Sequence, residues 1–286
     1  MDLSATKSAL QKEGLERLTQ YTDVLLQPAI QLEATPVTDA GAEAKLELGI
    51  SKIGGVPDLP PGQKWPEWNG LPQSFVAQIR LSDVTAADAN HWLPQQGMLW
   101  FFYDAKQETY GDDPKNAGGW QVFYSADTQH LERATVPDKL PKEARFKACT
   151  VKLKSDLTMA QQPQLEVTQL KWSDTDQEHY DTVYGQFNDA KDKTQPRHLM
   201  FGHPDTLQDD MRLQCQMMTN GVTDIEDPKV KALSKDANDW HLLLQVDSDE
   251  RTGMNWPGSG MLYYWIKLAD LKAQKFDHIW LVSQSA

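Results

Sequence analysis

Cysteine, long apolar runs and an excess of positive charge are all missing from this sequence, and each absence excludes a class of protein. The 286 residues include two cysteines, Cys149 and Cys215, and no CxxC motif. This usage predicts reduced, buried thiols rather than a disulfide framework or a zinc ribbon. No apolar run approaches the ~20 residues that a membrane helix needs, and residues 1–14 lack the basic start and apolar core of a signal peptide. We therefore expect a cytoplasmic protein that does not bind a membrane.

Basic residues are outnumbered, because 28 Lys and Arg stand against 41 Asp and Glu and give a net charge of −13. Nucleic-acid binding relies on Lys and Arg to neutralise phosphates, so this balance argues against a nucleic-acid partner. An acidic surface often serves solubility alone, but the same charge would steer a basic protein partner towards the chain. Composition leaves both interpretations open.

The short motifs that mark common active sites are also missing. There is no GxxxxGK[ST] and no GxGxxG after a predicted strand, so Gly54 and Gly55 are too short a glycine pattern to hold a phosphate. There is no GxSxG for a serine nucleophile. His198 and His203 are separated by Gly and Pro and do not have the spacing of a zinc-binding helix. We predict no cofactor, no metal and no catalytic residue.

Aromatic and aliphatic residues are plentiful, since the chain is 40% hydrophobic and contains ten Trp, eight Tyr and eight Phe. This is enough to bury a core. The clearest pattern lies at residues 241–266, where apolar runs at 242–246 and 261–266 enclose a loop rich in Asp, Gly and Trp. Runs of this length around such a loop predict two neighbouring buried strands.

The rest of the chain contains both helical and strand patterns and indicates an α+β protein. Helix signals cover residues 3–31, 82–90, 174–190 and 226–237. Short apolar or alternating runs predict strands over 75–81, 98–103, 120–124, 145–155, 165–170, 242–246, 261–266 and 278–282. Residues 51–70, rich in Gly, Pro and Trp, predict an irregular but ordered loop.

Two parts of the chain resemble each other weakly. FVAQI followed by GMLWFFYD in the first half is similar to LLLQV followed by GMLYYWI in the second, and a second register matches IRLSDV with IKLADL. An internal duplication of two similar halves is one interpretation, and chance is the other. Gln78 and Gln245, on these apolar strands, are buried amides that need partners, and we expect them to bridge the halves.

Acidic residues in two loops are candidate ligand-binding groups. Asp247, Asp249 and Glu250 follow a predicted strand, and carboxylates at alternate positions can converge on a cation. The rest of a calcium loop is missing, so the alternative is a loop whose Asp residues cap their own backbone. Asp112 and Asp113 lie in the polar loop 104–119 and are candidates of the same kind.

Aromatic residues and one histidine complete the candidate binding set. Trp65, Trp68 and Trp256 lie in loops rich in Gly and Pro, where they either line a groove for a sugar or peptide or fix the loops to the core. His203 precedes Pro204 and is either a functional histidine or one that donates to a carbonyl in a tight turn.

A family resemblance rests on several blocks read in order. They are SKIGGVPDLP at 51–60, WPEWNG at 65–70, SFVAQI at 74–79, GMLWFFYD at 97–104, GGWQVFY at 118–124, HLMFGHPDTLQDDM at 198–211, LLLQVDSD at 242–249 and GMLYYWI at 260–266. In this order the chain resembles the bacterial YwqG-like family, also called the domain of unknown function 1963 (DUF1963) family. The resemblance implies a single domain over residues 45–286, after a helix and lead-in over residues 1–44. It also implies an extensive, largely antiparallel sheet with flanking helices and internal pseudo-symmetry.

The resemblance carries no established activity, although some members look to be encoded near secreted toxins. We therefore predict a non-catalytic protein-binding module, as an immunity or partner protein that binds a basic toxin domain. A second version of this prediction is a scaffold protein with a housekeeping role, whose partner is not a toxin. The alternative is an enzyme, such as a hydrolase, or a binder of a small ligand or carbohydrate. It would use an acidic, Trp-lined cleft formed by the loops 51–70, 104–119, 198–211 and 247–260.

Overall fold

The structure, a computed structural model, describes residues 1–39, 41–167, 170–189, 191 and 194–286. The helices are α1 (Leu3–Lys12), α2 (Thr22–Leu25), α3 (Leu81–Val84), α4 (Pro163–Glu166), α5 (Asp174–Asp189), α6 (Met211–Thr219), α7 (Val230–Leu233) and α8 (Leu268–Lys272). The strands are β1 (Leu26–Pro36), β2 (Lys52–Ile53), β3 (Asp58–Leu59), β4 (Glu67–Trp68), β5 (Leu71–Pro72), β6 (Ser74–Arg80), β7 (Met98–Tyr103), β8 (Trp120–Ser125), β9 (Glu132–Arg133), β10 (Cys149–Met159), β11 (Leu199–Met200), β12 (Trp240–Asp247), β13 (Met261–Lys267) and β14 (Trp280–Gln284). Among these residues, no helix has the length and apolar character that crossing a membrane requires.

One antiparallel sheet organises the described chain. Its ten strands follow the order β14-β13-β12-β11-β1-β10-β2-β6-β7-β8, and two short ribbons, β3 with β9 and β4 with β5, lie apart from it. The aromatic and β-branched runs of β6, β7, β12 and β13 have both faces covered, which is why they read as continuous apolar segments. The α+β class and the extensive antiparallel sheet are therefore confirmed.

The sheet curls until its two ends meet and is nearly barrel-shaped. The Trp120 Nε1–H on β8 donates to the carbonyl oxygen of Ile279, just before β14, at 3.0 Å. The Trp120 and Trp280 rings meet edge to face with centroids 4.8 Å apart. Gly111, in the loop between β7 and β8, lies so close to β14 that an added Cβ would be 1.9 Å from the Leu281 carbonyl oxygen.

Two long strands at the centre of the sheet hold its two sides together. β1 pairs with β10 along its whole length, from Leu26 opposite Met159 to Pro36 opposite Cys149. Along the chain β1 comes before β2, β6, β7 and β8, but in the sheet it lies beside β11. β10 comes before β11 to β14, but it lies beside β2. One side of the sheet thus consists of β1 and β11 to β14, and the other of β10, β2 and β6 to β8. Along the chain, β1 leads into the strands of the second side, and β10 leads into those of the first.

The helix expected over residues 3–31 is wrong beyond its first turns. α1 ends at Lys12, Gly14 adopts a φ of +72°, and a strand begins at Leu26. The helical spacing of the leucines comes from three separate short pieces, and Pro28 cannot continue a helix. Residues 26–36 of the segment expected to be a lead-in form the central strand β1.

Several other boundaries differ from those expected. Residues 165–170 do not form a strand as far as the structure describes them: Pro163 opens α4 instead, and residues 168–169 lie outside the described part. The helix expected at 82–90 ends at Val84, and that at 226–237 is reduced to α7 followed by a 3₁₀ turn. The loop 51–70 is ordered as expected but contains β2, β3 and β4.

Apolar side chains fill two main clusters. The larger covers strands on both sides of the sheet and includes Phe101, Leu244 and Tyr264. The second joins the amino-terminal helices to α5 through Leu10 and Tyr180. Cys149 and Cys215 are free and buried, as their scarcity predicted.

Gln78 and Gln245 do not bridge the two sides of the sheet, which corrects the expectation for these amides. Gln78 accepts from the Asp58 backbone N–H at 2.8 Å, and its Nε2 donates to the Ile50 carbonyl and to Asp58 Oδ2, both at 2.8 Å. Each of these partners lies on the same side of the sheet as Gln78. The buried amide is thus saturated locally.

Gln245 makes the same set of contacts on the other side. It accepts from the Asp205 backbone N–H at 2.9 Å, and its Nε2 donates to the Arg197 carbonyl at 3.0 Å and to Asp205 Oδ2 at 2.8 Å. Both glutamines thus hold a Pro-Asp turn against a strand of the large sheet.

Candidate functional site

Asp249 in the predicted acidic loop is buried in a structural network. Its carboxylate accepts from the backbone N–H of Arg251 at 2.9 Å and from the Arg251 guanidinium at 2.8 Å, and it faces His198 Nε2 at 3.2 Å. Burial raises the pKa of Asp249, but the hydrogen bonds from His198 and Arg251 lower that pKa by more, so the group stays ionised. Capping of its own backbone, one of the two interpretations of this loop, is therefore present.

Asp247 and Glu250 complete the loop without facing a common site. The Asp247 carboxylate accepts from the Arg197 backbone N–H at 2.9 Å, and Glu250 is exposed. The Asp247 N–H donates to His198 Nδ1 at 3.2 Å, so the other His198 nitrogen carries the proton and donates to Asp249. Both ring nitrogens of this buried histidine are occupied, which leaves it no free atom for acid–base work.

The predicted tryptophans pack onto the body of the protein. Trp256 is buried and meets the rings of Tyr103 and Phe146 edge to face, at 5.8 and 5.5 Å between centroids. Trp65 is half-buried and donates from Nε1 to the Gln73 carbonyl at 2.8 Å. Trp68 lies against Gly118, where an added Cβ would be 2.6 Å from its ring. All three hold loops in place.

Three of the four predicted loops border one open cavity of about 760 Å³. Exposed Asp112, Gln208 and Gly258 line it, whereas the described lining includes no residue of 51–70. Asp113 instead caps the 3₁₀ turn after it by accepting from the Lys115 N–H at 2.8 Å. Apart from Asp112, none of the acidic or tryptophan candidates belongs to this described lining.

A second cavity, of about 290 Å³, has a more specific wall, which includes residues of β12 and β13. We call it the tryptophan cavity because Trp92, Trp240 and Trp265 line it. Its described polar lining comprises Gln27, Gln161, Gln162, Glu166, His203, Thr206, Asp210, Arg212, Asn238 and His241. Aromatic surface with a few convergent polar groups is typical of small-molecule sites.

An ion-paired group forms one wall of the tryptophan cavity. The Arg212 guanidinium binds both oxygens of Glu166, at 2.9 Å from Nη2 and 3.2 Å from Nη1. Its Nε also donates to Asp210 Oδ1 at 3.1 Å, and Asp210 is the N-cap of α6. The cap places Arg212 in the first turn of α6, from which it reaches Glu166 of α4. This bidentate arrangement fixes the Glu166 carboxylate in the cavity wall.

His203 lies beside this group as a neutral ring. Its Nε2 is 2.8 Å from the Val24 carbonyl oxygen, which can only accept, so Nε2 carries the proton and Nδ1 is left as an acceptor. Nδ1 is 3.8 Å from Glu166 Oε1. Burial lowers the pKa of His203 by more than the nearby Glu166 raises it, which keeps the ring neutral at pH 7. His203 thus donates to a carbonyl, as expected, but that carbonyl belongs to Val24 of α2 and not to the turn around Pro204.

The aromatic wall contains an indole N–H without a described partner. Trp265 is 3% exposed, and its buried Nε1 has no hydrogen-bond partner among the residues that the structure describes. Trp240, by contrast, donates from Nε1 to Gln216 Oε1 at 2.9 Å. Trp92 meets the His241 ring with centroids 4.9 Å apart, and burial lowers the pKa of His241. A buried donor without a partner is costly. The buried Nε1 of Trp256 also lacks a described partner, but Trp256 does not belong to the described lining of this cavity.

Of the candidates chosen from the sequence, His203 alone lines the tryptophan cavity. The cavity combines segments far apart in the chain, from α2, α4, β12 and β13, so no local motif marks it. One signal was available: Trp240, Leu242 and Trp265 belong to paired strands, with Leu242 opposite Trp265. Within the described residues, no three His, Cys, Asp or Glu side chains are arranged to hold a metal.

Comparison with known proteins identifies the family but no characterised relative. Residues 51–284 match the domain of unknown function DUF1963. No curated protein matches the chain. The match spans most of the sequence and confirms the DUF1963 resemblance carried by the GMLWFFYD, HPDTLQDDM and GMLYYWI blocks. The chain belongs to the DUF1963 family.

Proposed function

We propose that this protein binds a small polar molecule in the tryptophan cavity. The observation that carries the proposal is that Trp265 lines the cavity while its buried Nε1–H has no partner in the described part of the protein. A bound acceptor group would satisfy it, in line with the rule that buried polar groups are paired. The volume of about 290 Å³ suits a ligand the size of an amino acid or a monosaccharide.

A thermal-shift screen of polar metabolites and sugars tests this proposal. Ligands of the cavity should raise the Tm of the wild type, and Trp265→Phe should remove at least half of that rise, because Phe keeps the ring but not the N–H donor. Trp68→Phe is the matched control, since Trp68 lines a different cavity. Ligands whose effect is retained in Trp265→Phe would contradict the proposal, as would a diverse library without any ligand.

We also propose a second function, the binding of a basic protein partner such as a toxin domain, in a cytoplasmic setting. The net charge of −13 supports electrostatic attraction, and the free, buried Cys149 and Cys215 suit a reducing compartment. A partner captured from native cells should re-form the complex from purified components. Its affinity should fall steeply as salt rises, whereas an affinity unaffected by salt would contradict the electrostatic mechanism.

We further propose that the two sides of the sheet arose by internal duplication. The contacts of Gln78 and Gln245 support it, because each amide holds a Pro-Asp turn, Pro57-Asp58 or Pro204-Asp205, in the same way. Lys52 lies opposite Gln78 and Leu199 lies opposite Gln245, so IGGVPD and MFGHPD occupy matching positions.

Two further coincidences support the duplication. β6 has a register shift between Phe75 and Ala77, and β12 has one between Leu242 and Leu244, at the same distance before the glutamine. In addition, Trp100 Nε1 donates to the Asp58 carbonyl at 2.8 Å, as Tyr263 Oη does to that of Asp205 at 2.6 Å. The halves of other family members should align with Asp58 on Asp205; alignments no better than those of shuffled sequences would contradict a common origin.

The duplication gives the tryptophan cavity a counterpart for comparison. Phe75 and Phe102 correspond in this alignment to Leu242 and Trp265. Phe102 packs against Trp65 with centroids 5.7 Å apart, within an apolar cluster. In the first half, the Trp65 indole fills the space beside this strand pair. In the second half, the corresponding space is the tryptophan cavity with its ion-paired wall. The difference supports a binding role for this position in the second half and not for its counterpart in the first.

A further inference from the structure

We propose that the ligand of the tryptophan cavity carries a primary ammonium group, held between Glu166 and His203 and against the indoles. This inference rests on the proposed small-molecule function and specifies the chemistry of the ligand. Three independent features of the wall support it: its charge, its hydrogen-bond acceptors and its aromatic residues.

The charge of the wall favours a cation. The charged residues in the described lining are Glu166, Asp210 and Arg212, so one guanidinium is shared between two carboxylates and the group carries a net charge of −1. His203 and His241, the two histidines of the lining, are neutral at pH 7 because burial lowers their pKa values. In a partly enclosed site this remaining charge attracts a cation more strongly than it would in water.

Two hydrogen-bond acceptors in the wall, on His203 and Glu166, favour a ligand that carries donors. His203 Nδ1 and Glu166 Oε1 are 3.8 Å apart, and both are acceptors once the His203 proton lies on Nε2. Two acceptors at this distance do not bond to each other. A nitrogen placed to one side of this pair, about 2.8 Å from each atom, would donate to both, and an ammonium has three donors. A carboxylate or a carbonyl ligand would instead add a third acceptor and be repelled.

The aromatic part of the wall suits the same ligand. Trp92, Trp240 and Trp265 belong to the lining, and aromatic rings attract cations through the ring quadrupole. Trp240 already has the Lys267 ammonium at 5.3 Å from its ring centroid. The Trp265 Nε1–H adds one donor, so the best ligands combine an ammonium with an apolar body and one acceptor group.

Indole ¹H–¹⁵N spectra of the full chain test the proposal, with Trp265→Phe used to assign the Trp265 signal. Benzylamine, charged at pH 7, is compared with neutral benzyl alcohol, anionic benzoate and benzyltrimethylammonium, which has no N–H. Benzylamine should shift the Trp265 signal with a Kd on the order of 1 mM, about tenfold below the Kd of the other three probes.

Two variants that each remove one carboxylate test whether Glu166 binds the ammonium group. Glu166→Gln should reduce the advantage of benzylamine over benzyl alcohol to less than about threefold. Glu178→Gln, at an exposed position on α5, should leave the advantage unchanged. A selectivity that survives Glu166→Gln would overturn the proposal, even if that variant has lower stability.

The probe series separates this inference from the function on which it rests. Equal or tighter binding of benzyl alcohol, benzoate or benzyltrimethylammonium at the Trp265 signal would overturn the ammonium proposal and leave small-molecule binding intact. A Trp265 signal that responds to none of the four probes would also overturn it, while the thermal-shift screen decides separately whether the cavity binds small molecules.

Discussion

At the scale of single residues, Asp249 shows how an acidic loop can serve stability. It is 1% exposed, and its carboxylate joins His198 to Arg251. The Arg251 Nη1 continues to the Ala34 carbonyl on β1 at 2.9 Å. The loop after β12 is therefore fastened to the centre of the sheet through one buried carboxylate.

Replacing Asp249 by Asn should destabilise the protein by about 2 kcal/mol, because Arg251 and His198 lose a charged acceptor while Arg251 remains partly solvated. Urea denaturation measures this difference. Glu250→Gln is the control, since Glu250 is the exposed neighbour, and it should change the free energy of unfolding by less than about 0.5 kcal/mol. Similar effects of the two substitutions would show that the carboxylate has no structural role.

Stability should also fall with acidification, in two steps. The folded state lowers the pKa values of His203 and His241, so the unfolded chain binds protons first as the pH drops below about 6.5. Asp58 and Asp249 also have lowered pKa values, so their stabilisation is complete above about pH 4 and is lost as the pH falls through their folded pKa values. Asp247 acts in the opposite sense, because burial raises its pKa.

Urea titrations from pH 3 to pH 7 should therefore show a free energy of unfolding that decreases towards low pH. In Asp249→Asn the decrease below about pH 4 should be shallower, because one titrating group has been removed. An unchanged slope in this variant would mean that the pKa of Asp249 is the same in the folded and unfolded states.

At the scale of elements, the two Pro-Asp turns form equivalent hydrogen bonds with Gln78 and Gln245. Gln78→Leu and Gln245→Leu should each destabilise the protein by about 3 kcal/mol, because each leaves a backbone N–H and a backbone carbonyl without a partner. Gln121→Leu on β8 is the control, since Gln121 is exposed, and should have little effect. Chemical denaturation of the three variants measures their free energies of unfolding. A clearly larger decrease for one of Gln78→Leu and Gln245→Leu would contradict the equivalence of the two turns.

The closure of the sheet depends on Gly111. Gly111→Ala should cost at least about 3 kcal/mol, because its Cβ would collide with the Leu281 carbonyl at 1.9 Å and no side chain can move aside. Gly62→Ala has nearly the same φ, +78° against +79°, but meets nothing within 4 Å, and should cost about 1 kcal/mol. Equal losses in denaturation experiments would show that the ends of the sheet are not in contact.

The elements also show which features a sequence can reveal. Runs such as 98–103 and 261–266 were predictable because strands with both faces buried read as continuous apolar segments. One long helix over residues 3–31 was wrongly predicted, because short helices and a turn place the leucines there at helical spacing. The tryptophan cavity could not be predicted, because its walls come from distant segments and Arg212 is recognisable as a wall residue only once α6 lies beside α4.

At the scale of the whole molecule, the strand exchange between β1 and β10 makes the two sides interdependent. Neither side can unfold without losing the long strand that belongs, along the chain, to the other. Calorimetry should therefore show one transition, with equal van't Hoff and calorimetric enthalpies. Two resolved transitions would contradict this coupling and indicate that the sides fold as separate units.

The same exchange makes the peptide link between the two sides dispensable once the protein has folded. A nick between the exposed residues Asp138 and Lys139 would leave β1 in one fragment and β10 in the other. The backbone hydrogen bonds of three strand pairs would still join the fragments. The protein is thus suited to fragment complementation, in which two separately made pieces assemble into the folded protein.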